Sequence, residues 1–376
     1  MRDDAARFRD GLRRALDARR RRALHDPRGE DELRAPDHAR HRPRAVRGHG
    51  DPSRRHGGHR GGKAGRCEQR KVARACNDDL PDRQMTYQIR IVDVFTDKPL
   101  AGNQLAVVLD AKDIPVKLMQ RIAREMNFSE TTFVVPPEDP AHAARVRIFT
   151  PHTELPFAGH PTIGTAWVLA DEGLVPKDVN QFTLEENVGP VPVRREGQMF
   201  WMTHPPVQFG QVYPHSQAAA AIGVEESDLV TNAPAQVGST GLPFVYVALR
   251  DAAAVDKATS ERSRLEKLLN RKIADAVFLT AANGSNRLYS RMFSLDIPED
   301  PATGSASGPL GAYAVKYGLA ERAPTVSLIS EQGTKMGRPS QIHIELTYGE
   351  SKDIPERIEV GGSVMPVLSG ALSDFS

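Results

Sequence analysis

The spacing of apolar and polar residues becomes periodic near Met85 and predicts the first elements of a fold. Residues 88–95 alternate apolar and polar side chains, which predicts a strand, and residues 105–109 are expected to form its returning partner after a turn. Apolar residues recur at helical spacing over 116–126, so we predict a helix there that ends at Asn127.

Two more strands are predicted at 131–135 and 146–149, and a second helix follows them. The sequence Gly-His-Pro at 159–161 indicates the start of this helix, because a proline at an early helical position leaves no amide hydrogen unbonded. We expect the helix to run to about Ala170 and to stop at Gly173.

The same order of elements returns about 145 residues further along the chain. Arg-Ile-Phe-Thr at 147–150 matches Arg-Met-Phe-Ser at 291–294, and Gly159 matches Gly304. In both copies the strand leads through a glycine-containing loop to a helix of small residues that ends in Gly-Leu. This repeat indicates an internal duplication.

We interpret the duplication as two similar domains, 85–205 and 206–376, each a strand-rich sheet closed around one apolar helix. The C-terminal strand could return to the first domain and join its sheet. The helices, near 162–170 and 306–317, are apolar on nearly every face, as expected of helices enclosed by their own sheets. Their amino termini would bind carboxylate or enolate oxygens at a cleft between the domains. The predicted class is therefore α+β, with the active site in the interdomain cleft.

Residues 1–84 differ in composition from the rest of the chain. They carry 24 Lys and Arg against 14 Asp and Glu, a net charge of +10, whereas the remaining 292 residues carry 26 against 34, a net of −8. Only 22 of these 84 residues are apolar, so we expect a disordered, Arg-rich extension, with Met85 as the natural beginning of the folded protein. Interspersed acids and a lack of interleaved aromatic residues disfavour a nucleic-acid-binding arm.

Both cysteines, Cys67 and Cys76, precede Met85. The rest of the chain therefore has no disulfide framework, no thiolate ligand for zinc and no cysteine nucleophile. The sequence contains no run of 18 apolar residues, and its first twenty residues offer no apolar signal segment. We therefore expect a cytoplasmic protein with no membrane partner.

Three residues are candidates for chemistry, each with a structural alternative. Glu130 stands between a predicted helix and a predicted strand, where burial would raise its pKa toward that of a general acid/base; it could instead be an exposed or capping residue. His160 lies at the start of a helix and could be structural. Asp300 precedes a glycine-rich run, in the position that His160 occupies in the first half, and could be an N-cap.

Other chemistries are disfavoured by spacing. His152 and His160 are eight residues apart and no His-Glu-x-x-His sequence occurs, so a zinc site is not expected. The glycine-rich run after Asp300 lacks the Lys-Ser/Thr of a phosphate-binding loop, and neither Ser305 nor Ser307 lies in a Gly-x-Ser-x-Gly turn.

Three longer motifs, taken in order, carry a family resemblance. They are Asn-Phe-Ser-Glu-Thr-Thr-Phe-Val at 127–134, Glu-Leu-Pro-Phe-Ala-Gly-His-Pro-Thr-Ile-Gly-Thr-Ala at 154–166, and Glu-Asp-Pro-Ala-Thr-Gly-Ser-Ala-Ser-Gly-Pro-Leu at 299–310. With Gly-Asn at 102–103 and Gly-Arg-Pro-Ser at 337–340, they resemble the PhzF family of phenazine-biosynthesis isomerases and related epimerases.

The resemblance implies a fold like that of diaminopimelate epimerase and a homodimer, with no metal or organic cofactor. It implies that Glu130 is the proton shuttle and that His160 and Asp300 bind polar substituents of the substrate. It also implies that four further residues line the pocket or hold the substrate carboxylate, namely Asn103, Gly159, Gly304 and Ser305.

A single carboxylate can remove a proton from one carbon and return it on the same face at another, which isomerises a conjugated system. We therefore expect an isomerase acting on a cyclic carboxylated substrate such as trans-2,3-dihydro-3-hydroxyanthranilate in phenazine-type biosynthesis. Two alternatives remain open: an epimerase or isomerase of the same family that acts on another small carboxylated metabolite, and a catalytically silent binding protein.

The composition generates a first prediction. Deleting residues 1–84 should leave the melting temperature and any activity unchanged, because the folded body does not depend on this segment. Thermal unfolding of the full chain and of a chain starting at Met85 measures the effect. A drop of many degrees, or loss of activity, would show that the segment supports the fold.

Overall fold

A computed structural model describes residues 86–349 and 353–373 of the 376-residue chain. The expected disorder of residues 1–84 concerns a segment that lies outside the described residues. Within the described ranges no helix is long and apolar enough to cross a membrane.

The described ranges contain six α-helices, three short 3-10 turns and seventeen strands. The α-helices are α1 (Val116–Met126), α2 (Gly159–Asp171), α3 (His215–Ile222), α4 (Ala252–Lys257), α5 (Arg262–Leu268) and α6 (Gly304–Lys316). The 3-10 turns are Ala111–Asp113, Glu226–Asp228 and Thr334–Met336. The first nine strands are β1 (Tyr87–Val94), β2 (Asn103–Val108), β3 (Glu130–Val135), β4 (Ala144–Phe149), β5 (Glu154–Leu155), β6 (Gln181–Glu186), β7 (Gly189–Glu196), β8 (Met199–Thr203) and β9 (Gln208–Tyr213). The remaining strands are β10 (Ala235–Ser239), β11 (Pro243–Ala248), β12 (Ala276–Ala282), β13 (Arg287–Ser294), β14 (Thr325–Gln332), β15 (Ser340–Thr347), β16 (Arg357–Gly362) and β17 (Val364–Leu372).

The helices predicted from periodicity and from the Gly-His-Pro sequence are present. α1 has the predicted bounds, and Asn127 ends it in the left-handed conformation with a φ of 53°. α2 ends at Asp171, and Gly173 follows with a φ of 72°, which a glycine adopts without steric cost. Residue spacing and helix-ending residues therefore locate both helices.

Strand pairing repeats between the two halves of the described chain. From β1 to β8 the neighbours are β1–β2 antiparallel, β2–β3 parallel, β3–β4 antiparallel, β4–β6 parallel, β6–β7 antiparallel and β7–β8 antiparallel. From β10 to β16 the neighbours are β10–β11 antiparallel, β11–β12 parallel, β12–β13 antiparallel, β13–β14 parallel, β14–β15 antiparallel and β15–β16 antiparallel. The order of pairing is the same in both halves.

Two further pairings join the halves. The last strands of the two repeats lie beside each other, because β8 pairs with β16. β17 follows the second repeat but pairs with β1, whereas β9, which the predicted boundary places in the second half, pairs with β10. All strands belong to one continuous hydrogen-bonded sheet. The fold is a mixed α+β fold with a large strand-rich sheet, whereas the division into domains at 205 and 206 stays a prediction.

The helices α2 and α6 are 13 residues long and lie at the centre of these strands. α2 packs on β1, β2 and β8, and α6 packs on β10, β11, β15 and β16. Every residue of α2 up to Ala170 is buried except Trp167, and every residue of α6 up to Val315 is buried. Apolar side chains on all sides of a helix are stable in this setting because strands cover every face.

The β8–β16 pair generates a second prediction. Gly361 lies opposite Trp201, and a Cβ on this glycine would overlap the indole ring. Gly361→Ala should lower the free energy of unfolding by about 1–3 kcal/mol, the usual cost of overpacking. Denaturant unfolding measures it.

Gly370→Ala on β17 is the matched control. There the added Cβ would lie 3.5 Å from Leu368 Cδ2 and 3.9 Å from Ile89 Cγ2, both ordinary contacts. This variant should change the free energy of unfolding by less than about 0.5 kcal/mol. Equal effects of the two substitutions would contradict the packing argument.

Candidate active site

The structure brings all seven sequence-predicted site residues into one region. Glu130 is the first residue of β3, Asn103 the first of β2 and His160 the second of α2. Gly304 and Ser305 begin α6, Asp300 lies in the loop before it, and Gly159 begins α2. Two of these residues thus lie at strand starts, and the others lie at or just before the amino-terminal ends of the two buried helices.

Asn103 connects the two halves of this region. It is 1 % exposed, and its side-chain amide donates to Asp300 Oδ1 at 3.0 Å and to the Ala302 carbonyl at 2.8 Å. The same nitrogen lies 3.3 Å from His160 Nδ1. One side chain from β2 therefore fixes the loop before α6 and lies against the first turn of α2.

Asp300 accepts hydrogen bonds from side chains. In addition to the bond from Asn103, its carboxylate accepts a hydrogen bond from Ser129 Oγ at 3.2 Å and one from Thr303 Oγ1 at 2.5 Å. The residue capping α6 is Thr303, whose side chain makes no hydrogen bond to the helix amides, and Asp300 accepts from side chains rather than from those amides. The capping role considered for Asp300 is therefore not what the structure shows. Burial raises the pKa of Asp300 to about 6, although these hydrogen bonds oppose the increase.

Glu130 and His160 face each other. Glu130 Oε2 lies 3.4 Å from His160 Nε2, and within the described residues neither buried atom has a hydrogen-bond partner. Burial, and secondarily the charge of Asp300, raises the pKa of Glu130 to about 8. Burial lowers the pKa of His160 to about 3. At pH 7 the pair is therefore predominantly a carboxylic acid beside a neutral imidazole.

The amino termini of α2 and α6 touch at two glycines. A Cβ on Gly159 would overlap the main chain of Gly304 and Ser305, and a Cβ on Gly304 would lie 2.9 Å from Phe95 Cζ. Glycine is thus required for this approach. Because each helix start presents free N–H groups and a positive dipole end, their meeting point favours an anion.

One expectation about symmetry is wrong. His160 and Asp300 do not occupy equivalent positions in the two halves, because α2 and α6 begin at Gly159 and Gly304. The residue of α6 equivalent to His160 is Ser305, and Asp300 precedes its helix by four residues. The loop before α6 folds back against Asn103, which is why Asp300 still reaches the site.

Sequence reasoning missed several residues that support the site. Ser129 and Thr303 are in the quoted motifs but were given no role. Gln332, at the end of β14, donates to the Asp300 carbonyl at 2.8 Å and to Thr303 Oγ1 at 2.9 Å. Arg338 donates to Asp93 Oδ1 at 2.6 Å and to the carbonyl of the residue before Asn103 at 2.8 Å. No local pattern marks Gln332, since its role depends on a strand end meeting a distant loop.

Within 86–349 and 353–373, no group of three or more His, Cys, Asp or Glu side chains is arranged to hold an ion.

Comparison with known proteins gives the class of enzyme. The chain is 37 % identical over 303 residues to an uncharacterised isomerase of Mesorhizobium japonicum, a match that covers 76 % of this chain and 99 % of the relative. It is 34 % identical over 280 residues to trans-2,3-dihydro-3-hydroxyanthranilate isomerase of Pseudomonas fluorescens, covering 73 % of this chain and 94 % of the relative. Because both of these relatives are named isomerases, the protein is an isomerase.

The family follows from a match to a family model. The family model for PhzC-PhzF, described as phenazine biosynthesis-like protein, matches residues 92–370, so the protein belongs to the PhzF family. A crystal structure of a PhzF-family protein from Bacillus anthracis has a TM-score of 0.68 and 29 % identity, covering 77 % of this chain and 99 % of that chain.

The electrostatics of the site generate a third prediction. Asp300→Asn removes a like charge from beside Glu130, so the pKa of Glu130 should fall below about 8 while staying above its ordinary value of 4.5, because burial persists. Carbon-13 NMR of Glu-labelled protein, with Glu130 assigned by its loss in Glu130→Gln, measures the pKa.

Asp275→Asn is the control for this titration. Asp275 is also a partly buried carboxylate, but its charge does not act on Glu130. The control should therefore leave the pKa of Glu130 in place. An unchanged Glu130 pKa in Asp300→Asn would show that the two carboxyl groups are not electrostatically coupled.

Proposed function

We propose that the protein isomerises a small cyclic carboxylated metabolite by moving one proton, with Glu130 as general acid/base. The observation that carries this proposal is the Glu130 carboxyl group, whose side chain is 16 % exposed and whose pKa burial raises to about 8, near neutral pH. A group with such a pKa is available in both protonation states, as proton return requires. Roughly a tenth of Glu130 is ionised at pH 7.

The proposed proton transfer uses one group for both steps. The ionised carboxylate of Glu130 takes a proton from a substrate carbon, and the electron pair left behind shifts the adjacent double bond. The carboxylic acid then returns the proton to another carbon on the same face, which regenerates the carboxylate. Inversion of a single centre needs a second group on the opposite face, and the chain from Met85 onward has no thiol to serve there.

The surrounding groups have binding roles in this proposal. Neutral His160 and the Asp300 carboxyl group hold polar substituents of the substrate, and Asn103 holds these two side chains in position. The helix starts at Gly159, Gly304 and Ser305 hold the substrate carboxylate and stabilise charge that develops on oxygen. No step of this chemistry requires a metal ion or an organic cofactor.

The substrate we favour is trans-2,3-dihydro-3-hydroxyanthranilate, in phenazine-type biosynthesis. The support is the Pseudomonas relative named for that reaction. The more similar Mesorhizobium relative is named only as an isomerase, so another small carboxylated metabolite is the second candidate. A silent binding protein is disfavoured because Glu130, His160 and Asp300 are all present and converge.

The setting of the proposed enzyme follows from the same family. We propose a cytoplasmic homodimer whose two halves, 85–205 and 206–376, act as domains with the site in the cleft between them. The support is the repeated strand pairing and the position of the site where α2 meets α6.

The fourth prediction tests Glu130. Glu130→Gln keeps the size of the side chain but cannot accept a proton, so substrate should still bind while turnover falls by at least about 10²-fold. Glu130→Asp withdraws the acid by one methylene and should also lose activity, because proton transfer tolerates little displacement. Turnover of trans-2,3-dihydro-3-hydroxyanthranilate, with deuterium incorporation in D₂O, is the measurement.

The controls separate the parts of the proposal. Glu196→Gln, at an exposed ion pair with Arg194, should not change turnover. His160→Ala and Asp300→Ala should lower turnover by one or more orders of magnitude. Near-normal turnover in Glu130→Gln would remove Glu130 from the mechanism. No turnover by the wild type would exclude this substrate and favour another carboxylated metabolite.

A further inference from the structure

A further buried carboxyl group lies at the start of α2, outside the proposed proton shuttle. Glu186 ends β6 and is 5 % exposed. Its Oε1 lies 2.5 Å from Thr162 Oγ1 in the first turns of α2, and it accepts a hydrogen bond from the backbone N–H of Ala158, the residue that caps this helix. Oε2 is buried and has no partner within the described residues.

The Thr162 hydroxyl cannot satisfy all of its neighbours with one hydrogen. Thr162 Oγ1 is also 2.7 Å from the Ala158 carbonyl, which can only accept. When Thr162 donates to Ala158, the short contact with Glu186 needs a hydrogen from the carboxyl group. A carboxylic acid at Glu186 therefore completes the network, whereas a carboxylate leaves one contact without a hydrogen.

The second half of the molecule has part of this arrangement, with a neutral side chain. In α6, Ser307 Oγ donates to the Thr303 carbonyl at 2.9 Å, as Thr162 does to Ala158. The Thr303 N–H donates to Gln332 Oε1 at 3.1 Å, as Ala158 does to Glu186. Gln332 therefore binds the N–H of the capping residue with a group that never ionises, while its own amide nitrogen donates to the Asp300 carbonyl and Thr303 Oγ1 rather than to Ser307.

We propose that Glu186 is a positioning residue: as a carboxylic acid it fixes the first turn of α2, and through that turn it orients His160. Ionisation removes the hydrogen shared with Thr162, so Thr162 must turn away from the Ala158 carbonyl to donate to Glu186. The turn that carries His160 then changes. That this orientation serves catalysis rests on the proposed function, whereas the structural role does not.

The surroundings of Glu186 favour its neutral form. Burial raises the pKa of Glu186 to about 8; the Ala158 N–H opposes the increase, and Thr162 opposes it only when its hydroxyl donates to Glu186 instead of to the Ala158 carbonyl. The titratable and charged groups on the neighbouring elements are His160 and Asp171 on α2, His204 after β8, Arg145 and Arg147 on β4, Glu154 on β5, Glu185 on β6, and Arg194, Arg195 and Glu196 on β7, the strand paired with β6. Arg194 pairs with Glu196, Asp171 pairs with Arg90, and the Arg195 guanidinium lies over the Phe200 ring. Burial lowers the pKa of His160 to about 3 and that of His204 to about 4, so both are neutral at pH 7.

The remaining charges near Glu186 are paired with other residues. Arg147 binds Glu154 at 2.7 Å, Arg145 binds Glu138, and Glu185 accepts from His142 at 2.8 Å. None of these charges is among the causes of the raised Glu186 pKa in the described structure.

Linkage between pH and stability gives the fifth prediction. The pKa of Glu186 rises from an ordinary 4.5 to about 8 on folding. Between pH 4.5 and pH 8 the folded protein therefore binds a proton that the unfolded chain does not, and the stability of the wild type falls as pH rises through this range. Glu186→Gln cannot lose a proton, and its amide can donate to Thr162 as the acid does. The melting temperature of Glu186→Gln minus that of the wild type should therefore increase by on the order of 5 °C between pH 5 and pH 9.

Glu196→Gln is the matched control, since Glu196 is exposed on β7. The difference between its melting temperature and that of the wild type should stay constant over the same pH range. A difference for Glu186→Gln that is also constant with pH would overturn the proposal, because Glu186 would then be ionised in the folded protein or equally stable in both forms.

The positioning role has its own measurement, made in a Glu130→Gln background so that Glu130 does not titrate. The imidazole NMR resonances of His160 should shift with a midpoint near pH 8, and the shift should vanish in Glu130→Gln/Glu186→Gln. Persistence of the shift in the double variant, or its absence in the single variant, would overturn the role. A purely packing role for Glu186 would not couple His160 to pH.

Infrared spectroscopy keeps the proposal testable if Glu186→Gln fails to fold. The Glu130→Gln protein should show a buried carboxylic-acid C=O band at pH 7 that is lost with a midpoint near pH 8. Absence of this band at pH 7 would overturn the proposal. None of these experiments uses a substrate, so their failure is distinguishable from a failure of the proposed isomerase activity.

Discussion

The contact between the amino-terminal turns of α2 and α6 is the constraint on which the site depends. A methyl group at Gly159 would overlap the main chain of Gly304 and Ser305, so only glycine permits this approach. The positive ends of two helix dipoles meet there, and like ends repel. The repulsion is overcome because strand pairing between the halves, β8 with β16 and β17 with β1, holds the helices in place. An anion bound between the helix starts would relieve it.

Burial acts on the titratable groups of this region in opposite directions. It raises the pKa of acids such as Glu130 and Glu186 and lowers the pKa of bases such as His160 and His204. The cause is the same in each case, because burial disfavours the charged form of the group. Near pH 7 these groups are predominantly neutral. The positive potential of the helix starts is therefore not cancelled by ionised glutamates, and a carboxylated ligand meets an environment that favours its charge.

The sequence predicts the parts of the molecule that depend on local pattern. Helix α1 follows from spacing, and α2 follows from the Gly-His-Pro sequence and the stop at Gly173. Glu130 was identified as a candidate from its place between a helix and a strand, and the family motifs then strengthened that assignment. These signals lie within a few residues of the feature they mark.

The features that sequence analysis missed depend on distant contacts. The bond from Asn103 to Asp300 joins residues 197 positions apart, and Gln332 reaches the Asp300 loop from the end of β14. The buried position of Glu186 depends on where β6 ends relative to α2. His160 and Asp300 were wrongly matched because both follow a strand with an Arg-x-Phe pattern, whereas the equivalence is set by where each helix begins.

The two repeats have kept their strand order but not their chemistry, and this difference bears on the type of reaction. β3 begins with Glu130, whereas β12 begins with Ala276; the second residue of α2 is His160, whereas that of α6 is Ser305. A two-base mechanism needs proton-transfer groups on opposite faces of the substrate, which a duplicated fold could supply from one repeat each. In this chain the strand start of the second repeat carries no acid. The second half does supply a carboxyl group, Asp300, but from the loop before α6, where Asn103, Ser129 and Thr303 donate to it. Under the proposed function Glu130 alone transfers the proton, which suits same-face proton return rather than inversion.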